Sequence, residues 1–224
     1  MSDPLKHECG IAVVRLKKPL AYFQDRYGSA LWGFNKLFLL MEKQHNRGQD
    51  GVGIGCAKIG MPAGQPYIFR RRDSKKDSLA KLFRSELKSI DKMTRNGVID
   101  PNNPEDLRNN FDFAGDVYVG HLRYGTSGEF DSGSCHPYLR RSNWPTRTLM
   151  VMGNFNMTNS GDLNQRMMDR GQHPVIGTDT QTVLEEIGFH LDEQHTDLYR
   201  EMRDAGMNGR DIPGEISKRL DIPG

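Results

Sequence analysis

The sequence predicts a mixed α/β protein in which short strands form sheets and amphipathic helices cover them. Two observations lead to this prediction. Short β-branched, mostly uncharged segments recur along the chain, and apolar residues spaced three and four positions apart lie between them. The composition agrees, because 36% of the 224 residues are hydrophobic and the formal net charge is only +2. A chain with these values is expected to fold rather than to remain disordered.

Strands are predicted where β-branched residues cluster or where side chains of different character alternate. These segments are 9–16, 52–58, 67–71, 116–124 and 148–154.

Helices are predicted where apolar residues recur with the helical period. These segments are 27–45, 78–90, 160–170 and 180–191, and 214–220 has room for one more short helix. The last long helix follows Thr178 and Asp179, either of which offers a side-chain oxygen as an N-cap. The polar segment 96–110 is predicted to be a surface insertion, and 125–134 a loop rich in glycine.

Membrane and secreted proteins are disfavoured. The longest apolar stretch, 37–41, is far too short to span a bilayer, and residues 1–8 contain no apolar core of a signal peptide. Three cysteines without a CxxC pair indicate a reducing compartment, which predicts a cytoplasmic location.

Cofactor, metal and nucleic-acid signatures are also missing from the sequence. It contains no P-loop, the glycine-rich segment 51–55 lacks the GxGxxG spacing, and the seven histidines do not cluster. The basic run 70–72 is followed by Asp73, so we interpret it as part of a solvated loop. We therefore expect no cofactor, no metal and no nucleic-acid partner.

The three cysteines are the candidate nucleophiles. Cys56 lies in the middle of an apolar strand, which is typical of a small core residue. Cys135 is predicted to be a loop thiol; His136 follows it, but adjacent side chains of an extended segment point to opposite faces. Cys9 opens the first strand, and on composition alone it would also be a structural residue.

Five separated motifs change the interpretation of Cys9. Together, and in this order, they resemble the glutaminase domain of class II glutamine amidotransferases, the type with an N-terminal nucleophile. The motifs are CGIA at 9–12, HNRGQDGVGI at 45–54, GHLRYGTSG at 120–128, NFNMTN at 154–159 and TDTQ at 178–181.

Three details are similar to the amidophosphoribosyltransferase branch of this family. Gln49 stands where the glucosamine-6-phosphate synthase relatives usually have Tyr, and Tyr124 where they usually have Trp. The tetrapeptide NMTN at 156–159 is similar to the Asn-Leu-Thr-Asn of the same branch.

The resemblance implies an α+β fold, a four-layer α-β-β-α sandwich of two antiparallel sheets, which is the N-terminal-nucleophile hydrolase fold. It also implies a division of the chain. Residues 1–8 would be a propeptide-like leader, 9–205 the amidotransferase domain, and 206–224 a tail or the start of a linker.

The resemblance makes Cys9 the nucleophile and its own α-amine the base. The ordinary pKa values of an α-amine and a thiol, about 8 and about 8.5, are close, so a proton passes between them at little cost near neutral pH. An amide nitrogen cannot act in this way. The chemistry therefore requires that residues 1–8 be removed by a cut before Cys9.

The same resemblance assigns the substrate-binding groups for L-glutamine. Arg123 would bind the α-carboxylate, for which its planar fork of donors is suited, and Asp179 the α-ammonium group. Tyr124 and Thr126 would line the substrate, and Arg47 would shape the pocket beside the nucleophile. From the residues alone, Arg123 also fits a surface cation and Asp179 a helix N-cap.

Asn154 and Phe155 would stabilise the oxyanion of the tetrahedral intermediate. The resemblance implies that the Asn154 side-chain amide and the Phe155 backbone N–H are the two donors. From the residues alone, Asn154 also fits a plain turn residue. Phe155 departs from the family, which usually has glycine at this position; other departures are Gln181 for an acidic residue, an inserted Asn46 and a longer segment 93–113.

The acceptor half of an amidophosphoribosyltransferase has no counterpart in this sequence. Paired acids occur at 185–186 and 192–193, but they lie in a predicted helix without a threonine-rich phosphate loop. Ammonia would thus go to solvent or to a synthase domain or subunit. Two alternatives stay open: a glutamine-binding regulatory domain with impaired catalysis, and a different N-terminal-nucleophile amide hydrolase.

Overall fold

The computed structural model describes residues 9–75, 78–124, 135–175 and 178–219. Within these ranges the chain forms six strands in two antiparallel sheets, together with seven α-helices, which confirms the α+β class. The four-layer sandwich stays a prediction. The chain divides into two compact units. Unit 1 contains the described residues up to Pro137 with Met152–Asn154, and unit 2 contains Tyr138–Val151 with the described residues from Phe155 onward.

Unit 1 is built on a four-stranded sheet with the order β1-β4-β2-β3. All three pairings in this sheet are antiparallel. Its elements are β1 (Gly10–Arg15), α1 (Leu20–Tyr27), α2 (Trp32–Lys43), a 3-10 helix (His45–Arg47), β2 (Gly51–Ala57), β3 (Ile68–Asp73), α3 (Ser78–Arg95), α4 (Pro104–Asn110) and β4 (Val117–Arg123).

Helix α2 covers one face of this sheet, because its apolar residues recur on one side. Leu37 and Met41 are fully buried against β4, where Gly120 leaves room for them: a Cβ there would lie 2.4 Å from the Met41 sulfur. Cys56 is buried on the same strand face as Ile54, so the prediction that it is a core residue is confirmed.

The helix predicted over 27–45 begins later than predicted, at Trp32. The structure has two helices there, and α1 ends at Tyr27, where Gly28 adopts the left-handed conformation (φ 74°) that terminates many helices. Pro19 precedes α1 as its N-cap and provides no capping side chain. The start of α1 therefore carried a weak sequence signal.

The predicted surface insertion at 96–110 is partly a helix that contributes to the core. Helix α4 begins at Pro104, and the Asn103 side chain accepts hydrogen bonds from the backbone N–H groups of Glu105 and Asp106. Leu107 of this helix is 1% exposed. The Asn-Pro-Glu-Asp start is a recognised helix signal, which the polar composition of the segment obscured.

The opposite face of the unit 1 sheet carries a row of glycines on β2. Gly51, Gly53 and Gly55 alternate with the buried residues Val52 and Ile54, so they lie on the other side of the strand. The segment 135–137 packs directly over this row. A Cβ at Gly53 would lie 1.7 Å from the backbone oxygen of residue 136, so only glycine fits there.

Arginines of β3 hold this covering segment in place. The Arg72 Nη1 donates to the backbone oxygen of Cys135 at 2.9 Å, and the Arg70 Nη1 donates to that of Pro137 at 3.2 Å. Arg71 points to the other face and pairs with Glu86 at 3.1 Å. The interpretation of 70–72 as a solvated loop was therefore wrong, because a strand places these side chains on alternate faces and gives each a partner.

Unit 2 combines a two-stranded sheet with three helices. The structure again departs from the sequence predictions, since the strand predicted at 148–154 has only three residues and is half-buried, and the helix predicted at 180–191 extends to Asp204. The elements are β5 (Tyr138–Arg140), a 3-10 helix (Pro145–Arg147), β6 (Leu149–Val151), α5 (Ser160–Asp169), α6 (Asp179–Asp204) and α7 (Ile212–Arg219).

Side-chain contacts with α6 hold unit 2 together. Arg140 of β5 forms an ion pair with Asp192 of α6. Ile212 and Ile216 of α7 are fully buried against Met202 of α6. Among the helices within the described ranges, none is long and apolar enough to cross a membrane.

Candidate active site

Cys9 lies immediately before β1, beside the end of β4. Its sulfur accepts a hydrogen bond from the backbone N–H of Tyr124 at 3.5 Å and lies 4.0 Å from the Tyr124 carbonyl oxygen. Gly10 pairs with Leu122 in the β1–β4 ladder, so the same register continued by one residue places Cys9 opposite Arg123. Opposite residues of antiparallel strands project from the same face, so this register puts Cys9 and Arg123 on one face of the sheet.

Arg123 ends β4 and is half-buried. It pairs with Gly51 of β2 on its other side, and its carbonyl oxygen accepts a hydrogen bond from the Asp50 N–H at 3.0 Å. Cys9, Arg123 and Gly51 thus form one row across the sheet. The row places the predicted nucleophile and the predicted carboxylate-binding cation side by side.

Cys135 lies at the end of this row in a bend outside the strands, which confirms the prediction of a loop thiol but not an exposed one. The side chain is fully buried, and a Cβ added to Gly51 would lie 2.6 Å from its sulfur. The thiol donates to the carbonyl oxygen of Asp73 at 3.8 Å. Burial raises the pKa of this thiol, while the charges of Arg123 and Arg72 and a hydrogen bond from the Arg123 side chain lower it.

Two buried histidines lie in the next row. The Nδ1 of His136 lies 3.1 Å from the Nε2 of His121. Burial lowers the pKa of His121, and the neighbouring ring of His136 lowers it further. Burial and the charge of Arg123 lower the pKa of His136, while a backbone hydrogen bond with Gly153 raises it in part. The pair therefore stays neutral at physiological pH.

Sequence reasoning missed this histidine pair and the buried position of Cys135. The two histidines are separated by fifteen residues, and no spacing rule connects them. The signal that exists is the glycine at every second position of β2, which indicates that another backbone approaches the strand closely.

The turn that contains Arg47 packs against the end of β4. A Cβ at Gly48 would lie 2.6 Å from the backbone of Leu122, so the turn has no space for a side chain there. The preceding Gln44 accepts from the Ile11 N–H at 3.2 Å and donates to the Ile11 carbonyl at 3.1 Å. Arg47 itself is exposed.

Asn154 and Phe155, the predicted oxyanion donors, lie where the chain passes from unit 1 to unit 2. Both residues are exposed, Phe155 to 41%. Asn154 follows Gly153, whose backbone approaches the histidine pair of unit 1.

Asp179 is the first residue of α6, but it does not cap the helix. The cap is Thr178, whose hydroxyl accepts from the Gln181 N–H at 3.3 Å. The Asp179 Oδ2 instead accepts from the Met157 N–H at 2.7 Å, which ties the segment after Phe155 to the start of α6. The interpretation of Asp179 as an N-cap is therefore wrong.

Thr126 and the leader 1–8 lie outside the described residues. Within the described ranges, no three His, Cys, Asp or Glu side chains come together in a way that could hold a metal ion.

Comparison with known proteins gives one informative relationship. No protein-family model matches the chain. The chain is 28% identical over 102 residues to an amidophosphoribosyltransferase of Methanothermobacter thermautotrophicus. The match covers 46% of this chain and 20% of the relative, so it spans about a fifth of the relative's length. This similarity points to a relationship with the amidotransferases.

Proposed function

We propose that this chain carries a glutaminase activity of the class II amidotransferase type, which hydrolyses L-glutamine to glutamate and ammonia. The observation that carries the proposal is the position of the Cys9 sulfur at the end of the sheet, against the Tyr124 amide and opposite Arg123. The similarity to an amidophosphoribosyltransferase supports it.

The proposed reaction begins with a cut before Cys9 that frees its α-amine. The amine takes the thiol proton, and the sulfur attacks the side-chain amide carbon of glutamine. The carbon–nitrogen bond of the resulting tetrahedral intermediate breaks, and ammonia leaves with the transferred proton. Water then attacks the thioester, which releases glutamate and restores the thiol.

The substrate-binding groups are those that the resemblance assigns. Arg123 binds the α-carboxylate, with Tyr124 and Thr126 beside it, and Asp179 binds the α-ammonium group. Arg47 shapes the pocket from its turn and does not touch the substrate. No step of this reaction needs a cofactor, and the ammonia passes to solvent or to an acceptor synthase domain or subunit.

Two donors stabilise the oxyanion in this proposal. They are the Asn154 side-chain amide and the Phe155 backbone N–H. Loss of one such donor typically costs about 3 kcal/mol of transition-state stabilisation. Asn154→Ala is therefore expected to lower kcat by about a hundredfold or more.

The deciding experiment compares three forms of the protein in a glutamate-release assay. One form begins at Cys9, one retains residues 1–8, and one begins at position 9 with Cys9→Ala. We expect release from the first form only. Equal turnover by the first form and the Cys9→Ala form would refute the proposal, and full activity with residues 1–8 retained would refute the role of the α-amine.

A glutamine-binding domain without turnover is the second candidate, and Phe155 favours it. The family usually has glycine here, and a residue with a Cβ rarely adopts the left-handed conformations that glycine adopts readily. Calorimetric binding of glutamine by the form that begins at Cys9, without release of glutamate, would favour this candidate. The variant Phe155→Gly is then expected to gain turnover.

A further inference from the structure

We propose that the thiol of Cys135 is a positioning residue that holds the Arg123 guanidinium ready for the α-carboxylate of glutamine. The inference rests on the proposed function, because it assigns the carboxylate to Arg123. It begins from a buried polar contact for which that function has no use.

The Cys135 sulfur has a fixed position. Cys135 has no exposed surface, and its sulfur lies so close to Gly51 that a Cβ there would approach it to 2.6 Å. The backbone of the same residue is held by the Arg72 guanidinium at 2.9 Å. A side chain fixed on two sides in this way offers a rigid contact to its neighbour.

The Cys135 thiol directs its proton to the backbone. The sulfur donates to the carbonyl oxygen of Asp73 at 3.8 Å. A thiol has one weak donor and also acts as a weak acceptor, so the lone pairs remain available to another donor. Arg123 is the neighbouring donor, because a Cβ at Gly51 would lie 2.6 Å from the Cys135 sulfur and 3.5 Å from the Arg123 Cβ, and the Arg123 side chain hydrogen-bonds the thiol. The thiol therefore bridges a fixed carbonyl oxygen and the guanidinium.

A fixed Arg123 side chain favours glutamine binding. Arginine has a long side chain with several rotatable bonds, and immobilising it on binding reduces the affinity for the ligand. A partner that restricts the side chain beforehand removes part of this entropic cost. Because Arg123 and Cys135 both border Gly51, which has no side chain, nothing from β2 separates them.

Glutamine affinity tests this role in the form that begins at position 9 and carries Cys9→Ala. In that background Cys135→Ala is expected to raise the calorimetric Kd for glutamine about three- to tenfold. Cys135→Ser keeps a donor and an acceptor at the same place and is expected to restore most of the affinity. Cys56→Ala is the matched control, because it removes an equally buried sulfur on the opposite face of the sheet, and it is expected to leave the Kd unchanged.

The outcomes separate the two proposals. If the Cys9→Ala parent does not bind glutamine and the form that begins at Cys9 does not release glutamate, the proposed function is refuted, and this inference with it. A parent that binds glutamine while Cys135→Ala has no effect, or while Cys56→Ala weakens binding as much, overturns only the positioning role.

A second measurement does not depend on glutamine. In the full chain, Arg123→Met and Cys135→Ala are combined in a double-mutant cycle of urea midpoints. The shift of the double variant is expected to be smaller than the sum of the single shifts, because either change breaks the same contact. Additive shifts would contradict the contact, and with it the positioning role.

Discussion

The backbone N–H of Tyr124 donates to the sulfur of Cys9 at 3.5 Å, which joins the start of β1 to the residue that follows β4. The same contact fixes the position of the sulfur relative to the end of β4, where Arg123 projects. The two residues proposed to carry attack and substrate binding are therefore positioned by one pair of strands.

Arg123→Lys is predicted to raise the KM for glutamine by about ten- to a hundredfold, with a smaller change in kcat. Lysine keeps the charge but loses the two parallel hydrogen bonds that a guanidinium makes to a carboxylate. Steady-state kinetics on the form that begins at Cys9 measure the effect.

Arg15→Lys is the matched control, because Arg15 ends the same β1–β4 ladder at its opposite end and is exposed. An equal rise in KM in both variants would contradict a specific role for Arg123.

The histidine pair predicts a loss of stability in mild acid. The pKa values of His121 and His136 are lowered in the folded protein by burial, while in the unfolded chain they return to about 6.5. Below that pH the unfolded state binds more protons, so the free energy of unfolding decreases as the pH falls toward the folded-state values. Each neutral histidine contributes up to about 1.4 kcal/mol per pH unit in this window.

Urea denaturation between pH 7.5 and 5 measures this slope. His136→Asn is predicted to make the slope shallower, and His173→Asn, which changes an exposed histidine, to leave it unchanged. A slope that is the same in the His136 variant and in the parent would exclude the pair as its origin.

Gly51→Ala is predicted to destabilise the protein by about 1–3 kcal/mol, because the new methyl group would overlap the Cys135 sulfur. Adding Cys135→Ala removes that sulfur, so the double variant is predicted to be more stable than Gly51→Ala alone. Thermal or urea unfolding of the four proteins tests this order.

Gly161→Ala serves as the control for the loss of a glycine, since nothing lies within 4 Å of a Cβ at Gly161. This change is predicted to be neutral or to stabilise α5 by up to about 1 kcal/mol through helix propensity. If the double variant were less stable than Gly51→Ala, the packing of the sulfur on Gly51 would be excluded.

Asp179→Asn and Thr178→Ala are predicted to have opposite effects: the first weakens glutamine binding, and the second lowers stability. The amide oxygen of asparagine still accepts from the Met157 N–H, so Asp179→Asn is expected to weaken glutamine binding with little loss of stability. Thr178→Ala removes the N-cap and is expected to cost about 1 kcal/mol of stability. Calorimetry and urea unfolding of both variants distinguish binding from capping, and unchanged glutamine affinity in Asp179→Asn would contradict its proposed role.

The central strands could be predicted from the sequence because each of them buries at least one face. β1, β2 and β4 begin and end within one residue of 9–16, 52–58 and 116–124, since β-branched and alternating residues mark a half-buried strand. The length of α6 was underestimated because the helical spacing of apolar residues weakens after residue 191. At that point the ion pair between Asp192 and Arg140 joins α6 to β5.

The candidate site could be predicted only in part. The resemblance carried by the motifs assigns Cys9 and Arg123 to one site, and the β1–β4 register gives that assignment a physical basis. Cys135 carried no comparable signal, because its position depends on a segment that is distant in sequence and covers β2. The sequence pattern records which residues of a strand share a face, but it does not record what covers that face.

The ladder of β1 begins at Gly10, one residue beyond the proposed cut. All six residues that pair with β4 would therefore remain on the proposed trimmed form, and the pairing of β1 with β4 needs no residue of the leader. The proposed cut would then free the α-amine of Cys9 and activate the site without any change in the pairing of β1 with β4.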